Sequence, residues 1–118
     1  MAFEQHQEKR YTQDAASIYQ AGLKAIEKLE GKIVTSSPEM MKVEARFPKT
    51  ILGKVLGDRT YLACQISADG AETLVVVDAY PLDALDRKLM FGARKGVSQT
   101  VIAWFTAHLE HNLGIPAK

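Results

Sequence analysis

The sequence predicts an α+β domain: a four-stranded antiparallel meander sheet packed in two layers by an N-terminal and a C-terminal helix, in the order α-β-β-β-β-α. Three observations carry this expectation. Apolar side chains recur at helical spacing towards both ends of the chain, and four alternating or β-rich runs lie between them. The connections between successive runs are short, which favours antiparallel neighbours.

Residues 1–10, MAFEQHQEKR, are polar and hold no apolar stretch of the kind a secretion signal needs, so they read as a flexible arm ahead of a single domain over 11–118. From Thr12 to Leu29, the positions Ala15, Ile18, Tyr19, Gly22, Ile26 and Leu29 fall on one helical stripe. Thr12 is placed to cap that helix, Asp14 suits the positive end of its dipole, and Gly31 is placed to turn left-handed beyond its end. KIVTS (32–36) is a β-rich run that stops at the turn SPE. MMKVEARF (40–47) alternates, with Met41, Val43, Ala45 and Phe47 on one face and Lys42, Glu44 and Arg46 on the other, as a half-buried strand does. RTYLACQIS (59–67) and TLVVVDAY (73–80) flank ADGAE and should form a hairpin that Pro81 ends. VSQTVIAWFTAHLEHNLG restores helical spacing through Val97, Val101, Trp104, Phe105 and Leu109, with Gly114 and Pro116 as the stop.

The 118 residues suffice for one hydrophobic core. At 47% hydrophobic and 25% charged the composition is globular, and 15 basic against 14 acidic residues leave a net charge of +1. No global field draws such a chain onto nucleic acid, so a charged partner has to meet a local patch. One cysteine, Cys64, allows no internal disulfide and fits a reducing, cytoplasmic setting, and no run is long and apolar enough to span a bilayer.

In a meander the 47–60 and 81–96 connections share one rim of the sheet. The first holds Lys49, Lys54 and Arg59 against Asp58, and the second Arg87, Lys88, Arg94 and Lys95 against Asp83 and Asp86. The same loops carry Ile51, Leu52, Val55, Leu56, Leu89, Met90 and Phe91, which is unusual for surface connections unless they pack inward or meet a partner. A one-turn helix over the first four, plugging the core, is the plainer alternative. FPKTILGKVLGDRT is not a phosphate loop, because Gly53 and Lys54 are followed by Val55 and not by a hydroxyl. GARKGVSQT (92–100) places Arg94 and Lys95 before a helix N-terminus, where an anion would be favoured. Leu74, Val76 and Tyr80 lie opposite the core-facing residues of their strand and offer a second apolar face, through which a homodimer could form.

Signals for catalysis are thin. His108 and His111 are spaced i, i+3 and would need a third metal ligand, such as His6, so no metal or other cofactor is assigned. Asp78 sits in a strand, and Cys64 alternates with Leu62 and Ile66 as a core side chain. The outline resembles the small sheet-and-helix grip of lipid-binding folds. Three functional expectations follow. The first is a non-enzymatic binding or assembly module that meets an acidic protein partner or anionic surface through Lys49, Lys54, Arg59, Arg87, Lys88, Arg94, Lys95, Ile51, Leu52 and Phe91. The second is a carrier that holds an anionic amphiphile between sheet and helices. The third is an enzyme using Asp78 or His108.

Overall fold

The computed structural model describes residues 4–89 and 96–115. Along them run β1 (Gln5–Tyr11), α1 (Ala15–Lys28), β2 (Lys32–Ser37), β3 (Lys42–Phe47), β4 (Thr50–Ile51), β5 (Lys54–Val55), β6 (Arg59–Asp69), β7 (Glu72–Leu82) and α2 (Val97–Asn112). Five strands make one antiparallel sheet in the spatial order β1-β7-β6-β3-β2, while β4 and β5 pair in a hairpin of their own.

The α+β class, the antiparallel sheet and the two helices agree with the sequence reading. The expected four strands are five, because the stretch read as an arm supplies β1. Its side chains gave no apolar signal for a physical reason: an edge strand is held by backbone pairing on one side only. Here Gln5 to Tyr11 lie against Ala79 to Thr73 of β7. Polar contacts add to that ladder. Gln7 donates to Thr106 Oγ1 at 2.8 Å, and both Lys9 and Tyr11 reach Glu110 of α2.

The strand alternation sorts the sheet into two faces. Val43, Ala45, Phe47, Leu62, Cys64, Ile66, Val75, Val77 and Ala79 are buried on the inner one. They form one core with Ile18, Ala25 and Ile26 of α1 and Val101, Phe105 and Leu109 of α2. Both helices therefore cover the same face. Gly22 lies at their contact, where a Cβ would sit at an ordinary 3.7 Å from both Leu109 and Phe105. No helix among the described residues lies over the outer face. Leu74, Val76 and Tyr80 are only half-buried there, and His6, Glu8 and Arg10 flank them on β1. This outer face is mixed rather than apolar, so the expected hydrophobic dimer surface is interrupted by charge.

Several local expectations are corrected. Asp14, not Thr12, caps α1, accepting from the Ser17 N–H at 3.0 Å and the Ser17 hydroxyl at 2.7 Å. Those bonds to Ser17, the hydroxyl first, hold its carboxyl below the usual range. The left-handed residue beyond α1 is Glu30, with φ 67°. Gly31 serves close packing instead, since a Cβ there would fall 2.6 Å from the Phe47 ring. Pro81 does not end β7, which runs to Leu82. The β1 ladder stops at Ala79, and beyond it the Leu89 N–H donates to the Pro81 carbonyl at 2.8 Å while Leu82 bridges Lys88, so the proline sits at an edge where only its carbonyl is used. Gly114, at φ 77°, closes α2 as expected, whereas Pro116 lies outside the described residues.

Candidate binding surface at the sheet rim

Phe47 pairs with Thr60, and Arg59 with Leu82. The end of β3, the start of β6 and the end of β7 thus share one rim, and the connections 48–58 and 83–96 both attach there. The first is not the one-turn helix weighed above. It is the β4–β5 hairpin, in which Thr50 pairs with Val55 and Ile51 with Lys54. Leu52 (φ 51°) and Gly53 (φ 82°) make its two-residue turn, the pattern of a type I′ turn. The Leu52 N–H donates to Glu30 Oε1 at 3.1 Å, which ties the tip to the corner after α1.

The hairpin splits its aliphatic residues between core and solvent. Ile51 is fully buried and cannot touch a partner. Leu52 is 52% exposed and Val55 75%, and across the rim Leu85 is 69% exposed.

The cations divide in the same way. Arg59 is bound by the Asp86 carboxylate and the Asp83 carbonyl, and Arg46 stands 3.7 Å from the same Asp86. Arg87 pairs with Asp83 at 3.2 Å, and Lys88 with Glu4 at 2.9 Å. Asp83 accepts from the backbone N–H groups of Arg87 and Leu85 as well, and its carboxyl is held below the usual range, with the Arg87 N–H as the largest cause. Lys88 also lies 4.7 Å from the centroid of Tyr80, whose ring stacks on Tyr61 at 5.3 Å. Lys49 and Lys54 have no ion pair or hydrogen-bond partner through their side chains among the described residues. Phe91, Arg94 and Lys95 lie outside those residues.

The residues weighed for catalysis are dispersed. Asp78 faces outward and accepts from His6 Nδ1 at 2.6 Å, while His6 Nε2 contacts Glu8 at 2.9 Å. The Glu8 contact, then Asp78, raises the His6 pKa. With both ring nitrogens engaged, His6 is no third ligand for His108 and His111, which border an open groove of about 750 Å³ between α1 and α2. No group of three or more metal-binding side chains occurs among the described residues. Burial pushes the Cys64 thiol up to about 12, far from a reactive thiolate.

Two interior features were missed by the sequence reading. Thr60 Oγ1 and Ser98 Oγ are buried without a hydrogen-bond partner among the described residues. Thr60 continues the inward alternation Leu62, Cys64, Ile66, a signal that was legible; nothing local marks Ser98. Large side chains, including Ile18, Phe47, Leu62 and Phe105, are buried between sheet and helices. Two further grooves, of about 500 and 280 Å³, run along α1 and beside β1 under largely polar side chains. No helix among the described residues is long and apolar enough to cross a membrane.

No protein-family model matches the chain, and no curated protein sequence does. Solved structures match it by shape. Ara h 8.0201 is 11% identical with a TM-score of 0.57, over 94% of this chain and 97% of that one. CalU16 from Micromonospora echinospora is 11% identical at 0.59, over 97% and 76%. TTHA0849 from Thermus thermophilus is 12% identical at 0.50, over 93% and 96%. At such identities the likeness is one of fold alone, an antiparallel sheet packed against helices.

Proposed function

We propose that the chain is a non-enzymatic binding module that engages an acidic protein partner or another anionic surface through its rim, with the β4–β5 hairpin as the leading contact. The observation that carries this reading is the composition of the hairpin surface: exposed Leu52 and Val55 stand beside Lys49 and Lys54, two cations without internal counterions among the described residues. Arg59, Arg87 and Lys88 contribute less, because Asp86, Asp83 and Glu4 already neutralise them. A cation pair around exposed aliphatic groups attracts an anionic surface at long range and gains apolar contact at short range.

The test uses a poly-glutamate peptide and vesicles of phosphatidylcholine with and without phosphatidylserine. Binding to either anionic probe should weaken with salt, and Lys49→Glu with Lys54→Glu should weaken it further and flatten the salt dependence. Absence of binding to both probes at low ionic strength would reject the reading.

A second reading, a carrier of an anionic amphiphile, draws on the fold likeness and on the unpartnered hydroxyls of Thr60 and Ser98 inside the grip. The large side chains buried between sheet and helices among the described residues weigh against it. Native mass spectrometry of protein purified from its host separates the two, because a carrier retains a small-molecule mass.

A further inference from the structure

We infer that β2 is a self-pairing edge: two copies of the chain join antiparallel through Lys32–Ser37 and continue one sheet across a two-fold axis. The Lys32 end of this edge adjoins the rim hairpin, whose tip is bonded to Glu30, but the inference rests on the strand edge and does not depend on the binding-module reading.

The two edges of the sheet are built differently. β1 carries His6, Glu8, Lys9 and Arg10, the alternating charge that discourages pairing with another strand. Residues 33–37 of β2, IVTSS, carry no charge and no proline, and three of the five are β-branched. Ile33 and Val34 are 41% and 42% exposed, so this edge shows apolar side chains beside unpaired backbone groups.

Charge selects the partner. Lys32 opens the strand directly opposite Arg46 of β3, a like-charge cross-strand pair in which Arg46 stands 3.7 Å from Asp86 while Lys32 faces solvent. Glu39 lies in the turn beyond the other end of the strand. Neither Lys32 nor Glu39 has a side-chain ion pair or hydrogen bond among the described residues. A second copy running antiparallel, with Lys32 opposite the second copy's Ser37, sets Ile33 against Ser36 and Val34 against Thr35. That register keeps inward residues opposite inward ones. It also places each Lys32 opposite Ser37, at the end of the strand where the turn carrying the other copy's Glu39 begins, so the complementary charges approach one another twice, as a two-fold interface requires. A parallel arrangement would instead bring Lys32 to Lys32. The bulge between Ile33 and Thr35 adds twist to the strand and leaves Ser36 and Ser37 in regular pairing with β3.

Sedimentation equilibrium from about 1 µM to about 1 mM should show a monomer–dimer equilibrium. Lys32→Glu and Glu39→Lys alter exposed side chains and should each weaken dimerisation about tenfold, since each turns two attractive contacts repulsive. An equimolar mixture of these two variants should regain wild-type association, because the mixed dimer restores opposite charge at both ends. Thr35→Pro should abolish association, and far-UV circular dichroism checks that each variant is folded. A wild type that stays monomeric at about 1 mM, or a mixture no better than its components, overturns the inference.

Discussion

Gly31→Ala separates two accounts of the same glycine by the sign of its effect. If Gly31 merely loosened the chain between α1 and β2, alanine would be accommodated, because the left-handed position is taken by Glu30. The variant would then gain about 0.4–1 kcal/mol from the less flexible unfolded chain. The packing gives the opposite sign. The added Cβ would lie 2.6 Å from Phe47 Cε1 and 2.9 Å from Ile26 Cγ2. Phe47 is only 1% exposed and Ile26 is fully buried, so neither can swing into solvent. Overpacking of this kind costs about 1–3 kcal/mol, which leaves a net loss of about 1.5 kcal/mol. At about 2.1 cal/mol/K per residue, a chain of 118 residues changes Tm by about 4 °C per kcal/mol, so the variant should melt about 6 °C lower. Thermal denaturation followed by circular dichroism gives the number. Phe47→Leu removes the ring atom that the new methyl would strike. In that background Gly31→Ala should cost about 1 kcal/mol less than it does alone. A higher Tm for Gly31→Ala, or full additivity in the double variant, would refute the close-packing account of this corner.

Three further outcomes are expected. His6 binds its proton more tightly in the folded protein, through Glu8 first and Asp78 second. The stabilisation is therefore complete below the ordinary histidine range and lost as pH rises through the raised value. Amide exchange in β1, corrected for its intrinsic pH dependence, should quicken over that interval, and an unchanged profile in His6→Gln would show that the imidazole is not the cause. Ile51→Ala should cost about 3 kcal/mol by urea denaturation, whereas Val55→Ser should stay within about 0.5 kcal/mol; similar costs would mean that the hairpin is not anchored as described. Thr60→Val replaces a buried, unpartnered hydroxyl by a methyl and should raise stability by about 1 kcal/mol. A drop in that measurement would reveal a partner for the hydroxyl and favour the carrier reading.

The parts of the fold that were legible are those held by side-chain periodicity. Ile18, Ile26, Val101, Phe105 and Leu109 mark the helical stripes, and the alternation of Val43–Ala45–Phe47 and Leu62–Cys64–Ile66 marks the buried sheet face. Meander connectivity also places both basic connections at one rim without any coordinates. What escaped is held by backbone pairing and by distant polar partners. β1 is polar, and its contacts with Thr106 and Glu110 span about a hundred residues of sequence. The charge of the rim was legible only as a count. Glu4 neutralises Lys88 from the opposite end of the chain, and Asp86 serves both Arg46 and Arg59, so the number of cations in the loops overstates the field they present. Leucine at φ 51° in the hairpin turn is uncommon, which hid a type I′ turn behind a sequence that looks helical.

These internal pairings narrow where recognition can take place. A solvated cation keeps most of its attraction for an external anion, whereas one already held by a carboxylate must give up that partner first. On this count Lys49 and Lys54 outweigh the more numerous cations of the second connection whose side chains are described. Packing acts in the same direction: Ile51 fixes the hairpin from below, so Leu52 and Val55 are held outward by a rigid turn. An exposed apolar group fixed in place loses little conformational entropy when a partner covers it. Among the described residues the hairpin is thus the portion of the rim where both charge and apolar area remain available, and under the proposed binding role losing Ile51 should weaken binding even though Ile51 itself is buried.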